Sequence, residues 1–200
     1  MYETIILTNK HRESLAVPYF AHKDPKIFIS EDWEYTAPDL NYRHGNEIGA
    51  YRCFRSHVEG IEMMTGDAAL IMEDDCVPDH EKPWEAAISS AHELVTEYGF
   101  DLACLYLNPS GCHPKGHGVK TVIHGFEWWE PKGVEFYIGA VIYMINREGA
   151  KKMIEGRDFA SHRTPADLYL WQSERFKYAA IDGNCFFHDR SQGSLNEKAK

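Results

Sequence analysis

Apolar residues fall into two alternating rhythms along the chain. Short apolar runs occur at Thr4–Leu7, Lys26–Ile29, Ala68–Met72, Leu102–Leu107, Thr121–Ile123 and Val141–Ile145. These are too short for typical helices and several lack the in-out alternation of a half-solvated strand, so they predict strands, most of them buried. Elsewhere apolar positions recur in steps of three and four. Ile48, Tyr51, Phe54, Val58, Ile61 and Met64 make one stripe of a helix over 46–65, with Asn46 as its N-cap. Further helices are predicted from Lys82 to Tyr98, stopped by Gly99, from Glu148 to Glu155, and from Pro165, a residue suited to a first helical turn, to about Phe176. Asn108–Gly118 reads as a loop. Strands alternating with helices predict a layered α/β domain over residues 1–190, followed by a polar tail over 191–200.

Composition narrows the function classes. The chain carries 31 acidic and 21 basic residues, a formal charge of −10, so a global basic footprint for nucleic acid is missing, although a local patch is compatible with it. No apolar run approaches the length of a membrane span, and the first residues lack the pattern of a signal peptide. Five scattered cysteines without a C-x-x-C pair point away from a disulfide framework and towards a reduced, cytoplasmic setting.

The chemistry concentrates where the run Ala68–Met72 passes into Glu73-Asp74-Asp75. Ligands of open α/β sheets bind at the carboxyl ends of strands. Three adjacent acids repel one another, and a cation relieves that repulsion. Oxygen donors suit Mg²⁺ or Mn²⁺. An exposed acidic turn is the plain alternative.

Three ordered segments raise the cation reading. Asn46-Glu47-Ile48-Gly49-Ala50 with Ser56-His57, Leu70-Ile71-Met72-Glu73-Asp74-Asp75, and Gly139 to Lys152 with its Gly149-Ala150 resemble the small glycosyltransferases of family 25, the group of bacterial lipooligosaccharide and collagen galactosyltransferases. Thr164-Pro165-Ala166-Asp167 resembles that family's P-V-D segment. The chain departs from the pattern at Asn46, where the family has Gly, and in its His/Gly/Pro loop. The resemblance implies a GT-A fold, a single Rossmann-like domain with a mixed, mostly parallel central sheet flanked by helices. It implies a metal-dependent, inverting transfer of a hexose, galactose or glucose, from a UDP-sugar to a hydroxyl of a glycan or lipid-linked oligosaccharide. In that frame Asp75 and His188 hold the Mn²⁺ or Mg²⁺, Glu73 and Asp74 face the donor, and Asp167 is the base, with Glu127, Glu130 and Glu135 in reserve.

The remaining donor contacts are expected from Thr8 and Asn9, with Arg12 nearby, and from Gly139 and Ala140, whose small size lets backbone approach a sugar. His57 is expected either to touch the donor or to hold its helix on the sheet. Trp128 or Trp129 offers an aromatic face to an acceptor sugar, and only one of two adjacent strand residues can face it. Cys112, His113, His117 and His124 fit no zinc spacing, and Arg147, Lys151, Lys152 and Arg157 read as a solvated helix face. A hydroxymethylated DNA base is an alternative acceptor. From other classes, a metal-dependent phosphoesterase or nucleotidyltransferase also uses strand-end acids, but with separated carboxylates on two metals. A non-catalytic nucleotide-sugar-binding module is the third alternative.

Overall fold

The apolar runs are buried because helices cover both faces of one sheet. The computed structural model describes residues 1–10, 14–30, 47–107, 118–132, 139–157, 166–171 and 174–189, without the side chains of residues 47–51, 167 and 168. Its strands are β1 (Glu3–Asn9), β2 (Lys26–Ser30), β3 (Ala68–Glu73), β4 (Cys76–Pro78), β5 (Leu102–Cys104), β6 (Gly118–Ile123), β7 (Phe126–Pro131), β8 (Ile142–Asn146), β9 (Tyr178–Ile181) and β10 (Phe186–His188). Eight of them form the main sheet in the order β2-β1-β3-β8-β5-β9-β7-β6, and β10 pairs with β4 in a separate ribbon. Strands β2, β1, β3, β5, β9 and β6 share one direction, while β8 and β7 run against it. This is the layered α/β domain that the sequence pattern predicts, with the mixed, mostly co-directional sheet that the resemblance implies.

Alternation along each strand divides the core into two layers. Ile5, Ile71, Cys104, Tyr143 and Tyr178 point to one face, where Phe54, Val58, Met153 and Tyr169 meet them. Those residues come from α2 (Glu47–Glu62), α4 (Arg147–Glu155) and α5 (Ala166–Leu170). Ile6, Leu70, Met72, Ala103 and Met144 point to the other face, against Phe20 of α1 (Val17–Phe20) and Ala87, Leu94 and Val95 of α3 (Trp84–Glu97). Both layers are apolar, so the strand sequences are too.

Helix α2 lies close enough to β1 that a Cβ at Gly60 would run into the Leu7 side chain. Gly99 follows α3 at φ +68°, a left-handed conformation that stops the helix where the sequence predicts. Asn46, the predicted N-cap of α2, the 108–117 stretch and the 191–200 tail lie outside the described residues.

Two predicted elements are shorter than their sequence pattern. The helix from Pro165 ends at Leu170, because by Lys177 the chain must run extended: Asp101 N donates to Lys177 O at 2.8 Å, ahead of β9. The strand over Leu102–Leu107 ends at Cys104, although Leu105, Tyr106 and Leu107 remain buried. Beyond it the Asn184 side-chain amide replaces a neighbouring strand, accepting from Leu107 N at 2.7 Å and donating to Leu107 O at 2.8 Å. Among the described residues no helix is long and apolar enough to cross a membrane.

Candidate metal centre

The three consecutive acids do not point one way. Glu73 is the last residue of β3, and its side chain turns to α2, where Oε1 lies 3.4 Å from His57 Nε2 and 3.7 Å from Cys53 Sγ. Asp74 turns to β1, where its Oδ2 accepts from Thr8 Oγ1 at 2.8 Å. Asp75 turns to the ribbon, and His188 Nε2 lies 3.1 Å from its Oδ2. Their main partners lie on three different elements, yet Glu73 and Asp75 still bring donor atoms within 4.8 Å of each other, a repulsion that a cation would relieve.

The ribbon makes the Asp75–His188 meeting possible across 113 residues. Its register sets His188 opposite Cys76, beside Asp75, and Asp189 N donates to Asp75 O at 2.8 Å. Tyr106 meets the His188 ring edge to face at 6.2 Å. Asp75 is buried at 6% exposure and His188 is half-buried. Glu73, Asp75 and His188 each bring one donor atom to within 4.8 Å of the others. Carboxylate oxygens with one imidazole nitrogen fit a divalent cation, and the imidazole favours Mn²⁺ over Mg²⁺. Burial, and then Asp75 and Glu73, push the neighbouring Cys76 thiol well above the usual range.

The support beneath the acids is polar and specific. Asp74, at 4% exposure, is the support itself: its carbonyl accepts from Leu15 N at 2.8 Å and Ala16 N at 3.1 Å, and its carboxylate holds Thr8. Burial leaves it little surface for the donor contact expected of it. His57 is 1% exposed, with Nδ1 2.9 Å from Tyr143 Oη. Of the two roles expected of His57, its burial and its bridge from β8 to Glu73 fit the one that holds α2 on the sheet. Tyr143 was not singled out in the sequence. Its signal is the one hydroxyl in the apolar run Val141–Ile145, since a buried tyrosine seeks a partner. Burial, followed by Cys53 and Glu73, holds that hydroxyl well above its ordinary range, so it stays neutral. The contribution of Cys53 likewise emerges only in three dimensions.

Gly139 and Ala140 precede β8, which runs against β3, so they reach the same edge as Glu73; Glu73 N donates to Val141 O at 2.9 Å. Asn9 ends β1 at this edge, paired in register with Ser30. Asp167 is the second residue of α5, on the same side of the sheet as α2, and its side chain lies outside the described residues. Arg12, Glu135, Cys112, His113 and His117 also lie outside them.

The tryptophan pair is not gathered here. Trp128 is 0% exposed and donates from Nε1 to Ser90 Oγ at 3.2 Å, which makes it a core residue and removes it as an acceptor platform. Trp129 packs on the opposite layer, its ring 5.9 Å from Lys120 Nζ. Strand β7 stands four positions from β3, roughly 19 Å at ordinary strand spacing. Glu127 pairs with Lys120 at 3.0 Å, and Glu130 lines a cleft at the far end of the sheet, so neither joins the cluster. His124 pairs with Glu93 at 2.8 Å. Arg147, Lys151, Lys152 and Arg157 pair with Asp67, Glu155, Asp101 and Glu62, respectively.

No protein-family model and no curated protein matches the chain. Among solved structures it is similar to A197 from STIV, at 14% identity and a TM-score of 0.48 over 92% of this chain and 83% of that one. It is similar to a glycosyltransferase involved in glycosylation of the major capsid of PBCV-1, at 12% identity and a TM-score of 0.43 over 79% of this chain and 68% of that one. It is also similar to HddC from Yersinia pseudotuberculosis, at 12% identity and a TM-score of 0.41 over 89% of this chain and 68% of that one. At these identities the likenesses concern the course of the backbone, and the chemistry rests on the residues of the site.

Proposed function

We propose that the chain is a divalent-metal-dependent glycosyltransferase of the GT-A type, moving a hexose from a UDP-sugar to a hydroxyl of a glycan or lipid-linked oligosaccharide with inversion. The observation that supports it most is the convergence of Asp75, His188 and Glu73 at the carboxyl end of β3, with His188 standing 113 residues from Asp75 along the chain. A long-range pairing of this kind is built by the fold rather than left over from composition.

Asp75 and His188 would hold the cation. A bound Mn²⁺ supplies charge neutralisation for the diphosphate leaving group. Glu73, with about a quarter of its side chain exposed, keeps a carboxylate oriented beside it for a ribose or sugar hydroxyl. Gly139 and Ala140 lie across the same edge as a small-residue wall. Asp167, at the start of α5, would take the acceptor proton. A cleft of about 240 Å³ lies beside the ribbon, lined by Ser14, Leu15, Tyr19, Val77 and Asp189, and would offer room for part of a ligand.

The test is UDP release from a panel of UDP-hexoses with Mn²⁺, with and without glycan acceptors. Metal-dependent release is expected, and no metal-dependent binding or turnover of any nucleotide sugar would sink the proposal. Formation of a nucleotide sugar and pyrophosphate from a sugar phosphate and a nucleoside triphosphate would move the site to nucleotidyl transfer. Asp167→Ala should keep donor binding and lose transfer by about 100-fold or more; equal loss of both would take the base role from Asp167.

A further inference from the structure

Beneath the Asp75–His188 pair lies a second set of donor atoms with a different chemical character. Cys53, His57 and Glu73 bring a sulfur, an imidazole nitrogen and a carboxylate oxygen to within 4.8 Å of one another. Cys53 and His57 are four residues apart on α2, hence one turn apart on one face. Glu73 arrives from the end of β3.

The spacings fall within the range of hydrogen bonds and also fit the ligand edges of a metal site. His57 Nε2 to Glu73 Oε1 is 3.4 Å and Cys53 Sγ to the same oxygen is 3.7 Å. A charge-assisted N–H···O bond is shorter, about 2.7–2.9 Å. Tetrahedral zinc, with bonds of about 2.0–2.1 Å to nitrogen, 2.0–2.2 Å to oxygen and 2.3 Å to sulfur, separates its ligands by about 3.4 Å for N···O and about 3.6 Å for S···O. The observed distances match those edges. His57 also has the outer partner such a ligand needs: Nδ1 lies 2.9 Å from Tyr143 Oη, and a zinc-bound histidine passes its second N–H to a group that fixes its tautomer. Tyr143 is in turn held edge-on by Trp171 at 5.9 Å.

We propose that Cys53, His57 and Glu73 form a zinc site, separate in ligand type from the Asp75–His188 centre and sharing Glu73 with it. Sulfur and imidazole donors select zinc, whereas the oxygen-rich neighbour takes Mn²⁺ or Mg²⁺. On binding, the Cys53 thiol gives its proton to solvent and the sulfur lone pair bonds to the metal. His57 binds through Nε2 as the Nδ1–H tautomer, with the Tyr143 oxygen accepting. Water takes the fourth position. The bound ion ties α2 to the end of β3 and fixes the Glu73 carboxylate beside the Asp75–His188 centre. The site does not depend on glycosyl transfer, so it can fail or stand independently of that function.

The experiment uses the full chain, stripped with a chelator and reloaded with Co²⁺ or Zn²⁺ in the absence of nucleotide sugar. One equivalent of Co²⁺ should give a thiolate-to-cobalt charge-transfer band that Zn²⁺ displaces. Cys53→Ser should lose the band and bind zinc at least about 100-fold more weakly, while Tyr143→Phe keeps the band with zinc affinity reduced about 10- to 100-fold. Asp75→Asn should keep it. A wild-type protein without the band, or a band that survives Cys53→Ser, overturns the proposal. If Cys53→Ser does not fold, the wild type still decides: zinc must slow iodoacetamide labelling of Cys53, read by peptide mass, and undiminished labelling overturns the site. Donor binding is measured separately, so its failure leaves the cobalt result unaffected.

Discussion

Two aspartates with the same 6% exposure stand at opposite ends of the sheet and do opposite things. Asp101 lies just before β5, at the amino end of the co-directional strands. Its Oδ2 receives Lys152 Nζ at 2.6 Å and Lys177 N at 2.8 Å, and its carbonyl accepts from Asn146 N at 3.0 Å. Asp75 lies just after β3, at the carboxyl end, and is brought against an imidazole and a second carboxylate. A buried carboxylate with an ammonium partner is an internal ion pair that closes the fold. One gathered with another carboxylate and an imidazole is suited to receive a cation from outside. Burial alone therefore separates nothing; the chemistry of the neighbours does.

Exchanging the perturbation between the two ends gives the largest contrast. Asp75→Ala should weaken Mn²⁺ and nucleotide-sugar binding by at least about 100-fold, or about 2.7 kcal/mol, with little change in melting temperature. Asp101→Asn should leave both affinities unchanged and cost about 2–3 kcal/mol of stability, the low end for a broken buried pair because Lys152 is about a third exposed. For a chain of this length that is roughly 5–10 °C in Tm. Calorimetric titration and thermal melts of the two variants check it. A destabilised Asp75→Ala with intact Mn²⁺ binding would erase the distinction.

The same contrast explains what was legible in the sequence. The layers were visible because periodicity is local: the stripe from Phe54 to Ile61 and the run Ala68–Met72 needed no knowledge of partners. The acids were visible because they are contiguous. The ribbon was not, since Cys76-Val77-Pro78 and Phe186-Phe187-His188 are too short to carry a period. His188 was found by resemblance, whereas its reason for reaching Asp75 lies in strand register. Trp128 was misplaced for the opposite reason. Its aromatic face is visible in sequence, but the Ser90 hydroxyl that satisfies its indole stands 38 residues away.

Glu3 extends the contrast to pH. It too stands at the amino end, where partial burial opposes its ionisation but hydrogen bonds from the Thr65 side chain and backbone, Lys26 and the Gly66 backbone outweigh this and lower its pKa to about 2 from 4.5. A lowered carboxylate stabilises the fold fully above the unfolded value and loses that contribution as pH falls from 4.5 towards 2. The shift bounds the effect at about 3 kcal/mol, and about 2 is expected after solvent screening. Urea unfolding of wild type and Glu3→Gln should converge over that window and differ above it. Equal stabilities at neutral pH would remove Glu3 from the structural set.

The smallest predicted effect concerns Thr8, which stands at the carboxyl end yet behaves like a residue of the other end. Its hydroxyl donates to Asp74 Oδ2 at 2.8 Å, and Asp74 is buried. Thr8→Val keeps the shape and removes the donor, so it should cost about 1 kcal/mol and lower Mn²⁺ affinity less than tenfold, through Asp74 rather than through direct contact. Thr8→Ser should restore both. If Thr8→Val instead weakens nucleotide-sugar binding while stability stays unchanged, the hydroxyl faces the donor, as the position of Thr8 at the exit of β1 first implies.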